Sequence, residues 1–242
     1  MNWSAGKIGT INQRSAHANG LSTPPIGCVL HLPGLPGGGN KIYDQSPYGN
    51  IGTITGATWV RSPGGLWCLS FDGVDDYVNC GNVQIHNNTA YTIIFWLKAP
   101  AQNDKVVFAE ANSGLPNPVF LITSGAAVTD MSAVRVFVRN DDGSNPINLE
   151  VITGGFDDTW HMISYVDNNG SIRVYVDLKS ATASYTKVLK TLDNVHLGCY
   201  YINGAYGSYS TGIIALLRGY NRASTPLEIQ NHYQQERHLF GV

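Results

Sequence analysis

The side chains of this sequence that could do chemistry are mostly tyrosines and aspartates. Cys199 to Tyr209 reads CYYINGAYGSY, four tyrosines with one asparagine and two glycines in eleven residues. A tyrosine offers a flat apolar face and a polar tip at low entropic cost, and a sugar can stack the apolar face of its ring on such a group. Tyr200, Tyr201, Asn203 and Tyr206 are therefore candidate ligand-binding residues on a loop. The competing reading makes Tyr209 core and the other tyrosines a subunit contact. Trp3 and Trp59 are further aromatics with no surface assigned to them.

Groups suited to catalysis are fewer. The glutamates are Glu110, Glu150, Glu228 and Glu236. Asp75–Asp76 and Asp157–Asp158 are adjacent pairs, so on a strand their side chains would point to opposite faces. His161 follows Trp160 in an apolar run and reads as a strand histidine, not a base. No G-x-S-x-G elbow is present. Cys28, Cys68, Cys80 and Cys199 have no C-x-x-C spacing, which argues against zinc; they read as small buried hydrophobes. The expectation is a protein that is not an enzyme.

The elements that must position these residues are strands. Trp67 to Cys80, WCLSFDGVDDYVNC, places Asp72-Gly73-Val74-Asp75 between two apolar runs, a hairpin signal. A hairpin symmetric about Val74 sets Phe71 opposite Tyr77 and Cys68 opposite Cys80, a register that would allow a disulfide, against which cytosolic synthesis argues. Tyr91 to Lys98, YTIIFWLK, is apolar throughout and reads as a central strand buried on both faces. Ile51 to Val60 reads as one strand. About a dozen short strands follow from such runs and from turns such as Asn168-Asn169-Gly170. One helix begins at Thr225-Pro226 with Glu228 completing a capping box; Ile229 and Tyr233 share a face that should pack on the sandwich edge. The apolar Leu239–Phe240 would plug a groove on this domain or on a neighbour.

Composition narrows the function. Charged residues are 13% of the chain, well below the roughly 25% that is typical. Net charge is −2 with no basic run, which disfavours a nucleic-acid partner. No apolar run is long enough to span a bilayer. MNWSAGKIGTINQRS lacks an apolar h-region, so the expectation is synthesis in a cytoplasm without a Sec signal, with any external role reached by lysis or on a particle. Residues 1–23 are polar and weakly periodic and read as an N-terminal arm, held by the domain's own flank or by a neighbouring subunit. Residues 24–242 show no linker and read as one domain, large enough to bury its own core.

FDGVDDYVNCGN resembles the signature strand of the laminin-G-like branch of the concanavalin A-like lectin/glucanase family. KIYDQSPYGNIGTITGATWV, DDTWHMISYVDNNGSIRVYVDL and IIALLRGYNRASTPLEIQNHY resemble three further segments of that family, in the same order. The resemblance implies an all-β, concanavalin A-like jelly-roll β-sandwich with an extended N-terminal arm and one short C-terminal helix. Glucanases of the family carry E-x-D-x-x-E on one strand, which sets acid and nucleophile about 5 Å apart; none of the four glutamates begins such a run. Many relatives bind Ca²⁺ in rim loops, and the resemblance implies two oxygen sources here: Asp44 with Asn50, where Pro47-Tyr48 replaces the family's Gly-Asn, and Asp72 with Asp75, joined by Asp76. The alternative for both is turn capping. These readings lead to a non-catalytic binding or assembly protein. Its most concrete form is a virion-surface component, a bacteriophage capsid decoration or tail protein, with other particle subunits or copies of itself as partners. The alternative is a free-standing carbohydrate-binding lectin module, followed by a glycan hydrolase.

Overall fold

The computed structural model describes residues 26–34, 39–152 and 154–242. The arm expected over residues 1–23, with Trp3, lies outside them. In chain order the strands are β1 Cys28–Leu32, β2 Lys41–Tyr43, β3 Ile51–Thr55, β4 Thr58–Arg61, β5 Trp67–Asp72, β6 Tyr77–Gly81, β7 Ala90–Lys98, β8 Val106–Ala111 and β9 Val119–Ser124. They continue as β10 Val134–Arg139, β11 Ile147–Ile152, β12 Trp160–Asn168, β13 Ser171–Val176, β14 Lys179–Ser184, β15 Asn194–Leu197, β16 Tyr200–Ile202, β17 Ala205–Gly207 and β18 Thr211–Tyr220. One sheet has the order β14-β13-β12-β7-β18-β5-β4, with β1 also paired to β18. The other has the order β11-β10-β9-β8-β15-β6-β3-β2, and β16-β17 form a separate ribbon. This is the expected all-β jelly-roll sandwich.

Strand β7 shows why it closes. Tyr91, Ile93, Phe95 and Leu97 alternate into the core between the sheets, beside Phe108, Phe120 and Tyr165. Ile94 and Trp96 point the other way, into a second apolar cluster on the outer face of the first sheet. Helix α1, Pro226–Glu236, covers that cluster. Thr225 and Glu228 form the capping box and Pro226 stands in the first turn. Tyr233 stacks on Trp96 at 5.8 Å between ring centroids. Phe240 stacks on it at 4.2 Å and meets Trp160 at 4.7 Å. The helix therefore lies on a sheet face, not the edge, because Trp96 and Trp160 need cover. The apolar tail fills its own domain, not a neighbour's. Beneath it, Arg218 Nη2 pairs with Glu236 Oε1 at 2.7 Å, both side chains buried, and the Trp96 indole N–H donates to Glu236 Oε2 at 2.8 Å.

Two expectations are corrected. The run Trp67 to Cys80 is not a hairpin: β5 pairs with β4 and β18, while β6 pairs with β3 and β15 in the other sheet. The Asp-Gly turn carries the chain across the sandwich. Asp72 Oδ1 accepts the Val74 N–H at 2.8 Å and Asp76 Oδ2 accepts the Asp72 N–H at 2.9 Å. Cys68 belongs to the outer cluster and Cys80 to the inter-sheet core, so they cannot bridge; all four cysteines are free and buried. The single strand expected over Ile51 to Val60 breaks at Gly56, with φ +71°, into β3 and β4 of opposite sheets. A Cβ at Gly56 would collide with Asp76 Oδ1, so the break makes room for the crossing turn.

Candidate functional site: a tyrosine platform at the sheet rim

The tyrosine-rich segment is a ribbon, not an irregular loop. Asn203 and Gly204 both have positive φ, +48° and +74°, as a type I′ turn requires. This pairs Tyr201 directly with Tyr206, their rings 4.4 Å apart. The ribbon lies over the outer face of the second sheet. There Tyr206 stacks on Tyr77 of β6 at 4.4 Å with 28° between planes. His196 of β15 lies beneath, 5.6–5.9 Å from Tyr77, Tyr201 and Tyr206. Burial pushes the His196 imidazole down to about 4, so it is a neutral floor at physiological pH, with Nδ1 2.9 Å from Asn194 Oδ1. Tyr206 remains 38% exposed.

Of the four expected ligand residues, Tyr201 and Tyr206 are thus brought together. Asn203 forms the exposed turn. Tyr200 alternates to the other side of the ribbon, where a Cβ at Gly207 would come within 2.6 Å of its ring carbon Cζ. Tyr77 and His196 escaped sequence reasoning, although YVNCG does alternate half-buried with buried positions. Trp59 packs partly buried against the inter-sheet core.

Beside the platform, one oxygen each of Asp72, Asp75 and Asp76 lie within 4.8 Å of one another. Burial raises the Asp76 carboxyl, and the charges of Asp72 and Asp75 raise it further. No cationic side chain pairs with these three among the described residues. A hard oxygen set with no cationic partner is the donor type that Ca²⁺ takes. Asp44 and Asn50 do not fit. The Asp44 carboxylate accepts from the backbone N–H groups of His31, Ser46 and Asn50 and from the side chains of Ser46 and Asn50, at 2.6–3.0 Å. Its lone pairs are spent on holding the turn.

The glutamates have structural partners. Glu110 is buried and accepts the N–H groups of Ile85 and His86 at 2.9 and 2.7 Å; burial pushes its carboxyl up to about 7. Glu150 accepts the Ala126 N–H, Glu228 caps the helix, and Glu236 pairs with Arg218. His161 has both ring nitrogens engaged, Nδ1 with Asp177 at 2.8 Å and Nε2 with Asp157 at 3.0 Å. Burial opposes its charge, but the two aspartates outweigh burial and raise its pKa. It is an ion-paired strand residue.

A family model described as the concanavalin A-like lectin/glucanases superfamily matches residues 72–230. No curated protein matches the sequence. Among solved structures, the binding domain of botulinum neurotoxin serotype D is similar at TM-score 0.64 and 12% identity, over 87% of this chain and 51% of that one. The binding domain of Paraclostridial Mosquitocidal Protein 1 gives 0.63 and 12%, over 88% and 52%. Domain 4 of AbnA, an extracellular arabinanase from Geobacillus stearothermophilus, gives 0.62 and 16%, over 84% and 97%. The chain spans about half the length of the toxin binding domains, and at these identities the likeness is one of fold.

Proposed function

The chain belongs to the concanavalin A-like lectin/glucanase superfamily through its laminin-G-like domain, and from that premise we propose that it is a non-catalytic, lectin-like module that binds glycans on Tyr77, Tyr201 and Tyr206. The observation that carries the reading is the platform itself. Its rings are fixed by stacking on one another and on a buried imidazole, so little side-chain freedom is lost when a sugar ring settles on it. Among proteins of the same fold, the arabinanase domain is in complex with arabinotriose and a botulinum neurotoxin DC binding domain with SialylT; another structure of that toxin domain holds rat synaptotagmin II. Ca²⁺ at Asp72, Asp75 and Asp76 is part of the proposal. When bound it would supply open coordination positions for sugar hydroxyls beside the platform. A glycan array probed with the whole chain tests the reading: reproducible hits that Tyr206→Ala loses support it, and an array without hits refutes it.

A narrower form makes the module a virion-surface component joined to other subunits through residues 1–23. Since Phe240 is buried in its own domain, the arm alone carries that form. Light scattering on the chain with and without residues 1–23 tests it. An oligomer that becomes a monomer on truncation supports the form, and a monomer in both cases refutes it.

A further inference from the structure

Strand β10 reads VRVFVR and alternates buried with half-buried positions. Its valines enter the core, so Arg135, Phe137 and Arg139 stand together on the outer face of the second sheet. Between them and Ser208, which follows the tyrosine ribbon, lies a cleft of about 170 Å³ with Leu121 and Thr123 in its lining. The two guanidinium carbons lie 6.0 and 5.3 Å from the Phe137 ring centroid. Two arginines thus bracket one ring, and Asp104 also lines the cleft.

The two arginines are not equivalent. Arg135 is neutralised: it pairs with Asp104, and its Nε donates to Asn148 Oδ1 at 2.8 Å. Glu150, opposite Arg135 in register, accepts the Ala126 N–H. Arg139 donates one bond to the Pro116 carbonyl at 3.0 Å and has no ion pair among the described residues. The cleft therefore offers an aromatic floor and one uncompensated guanidinium, whose planar fork matches a carboxylate.

We propose that this cleft is the subsite for a carboxylate-bearing sugar, a uronic or sialic acid residue, with its ring over Phe137 and its carboxylate on Arg139. The proposal rests on the glycan-binding reading and names its ligand class. The subsite adjoins the platform, because the Val106 N–H donates to the Ser208 carbonyl at 2.9 Å and ties the end of the ribbon to the cleft wall. An oligosaccharide lying on Tyr206 can continue into it.

The test is calorimetric titration of the full chain with four probes: trigalacturonate, its methyl ester, sialyllactose and lactose. At least one acidic probe should bind about ten-fold more tightly than its neutral counterpart, equivalent to about 1.4 kcal/mol. The preference should vanish in Arg139→Gln while the neutral affinity holds, and should shrink with added salt. Whichever acid shows the preference identifies the source. Equal affinity for acidic and neutral probes, or a preference that survives in Arg139→Gln, overturns the subsite and leaves the glycan reading standing. Failure of wild type to bind any probe, together with an empty glycan array, overturns both. An unchanged melting temperature in Arg139→Gln confirms that only the surface was altered.

Discussion

Replacing Arg218 by methionine should destabilise the fold by about 3–5 kcal/mol, the usual consequence of leaving one partner of a buried ion pair alone. The magnitude follows from the setting of Glu236. Its side chain and that of Arg218 are 4% and 3% exposed, and their ion pair spans 2.7 Å. Burial alone would raise the Glu236 carboxyl. Arg218 outweighs it, aided by His232 and the Trp96 indole, and the carboxyl is held down at about 2. A lowered pKa contributes stability that is complete above the unfolded value of 4.5 and is lost as pH falls toward 2. Without Arg218, burial dominates and the pKa rises instead. The variant then loses stability as pH climbs above 4.5, so its deficit should be larger near pH 7 than near pH 4. For a domain of this size each kcal/mol moves the melting temperature by about 2–4 °C, giving a fall of about 6–20 °C near neutrality. Thermal denaturation followed by circular dichroism at both pH values reads this directly. Arg218→Met with Glu236→Leu should recover most of the loss, because the stranded charge is gone. A shift under about 2 °C, or one independent of pH, would mean that Glu236 does not depend on Arg218 for its burial.

Other outcomes follow from the same structure. A thiol reagent should find no reactive cysteine in the native protein and four after denaturation, since burial pushes Cys28 up to about 11 and Cys80 to about 12; a mass change on reduction would contradict this. Asp44→Ala strands the N–H groups of His31, Ser46 and Asn50 and should cost roughly 2–4 kcal/mol in urea denaturation. A cost below about 0.5 kcal/mol would mean that the turn holds without its carboxylate. Ca²⁺ at 100 times its Kd should stabilise the chain by about 2.7 kcal/mol over chelator, an effect lost in Asp76→Asn. Identical melts with and without the ion would remove Ca²⁺ from the account.

What the sequence disclosed was what short-range chemistry decides. Thr225, Pro226 and Glu228 announce a helix start because the cap bonds join residues three apart. The unbroken apolar run of β7 announces burial on both faces. Asp72-Gly73 announces a tight turn, but not whether the strands on either side pair with each other or with strands more than a hundred residues away. That choice is made by where Leu69, Phe71, Val78 and Cys80 find cover, and it separated Cys68 from Cys80. The site was half visible for the same reason. Tyr201 and Tyr206 flank an Asn-Gly turn in sequence, whereas Tyr77 and His196 reach them only through sheet pairing. Arg135, Phe137 and Arg139 did leave a signal, polar or aromatic residues at every second position of VRVFVR, whose meaning depends on knowing which face is outside.

Glycan binding without catalysis on the tyrosine platform can be read from calorimetric titration of an array-selected oligosaccharide into wild type, Tyr206→Ala and Tyr200→Ala, followed by analysis of the recovered sugar. Binding should be saturable, weaker by about 30-fold, or roughly 2 kcal/mol, in Tyr206→Ala, and much less changed in Tyr200→Ala, with the sugar recovered intact. Undiminished affinity in Tyr206→Ala, or release of new reducing ends by the wild-type chain, would contradict it.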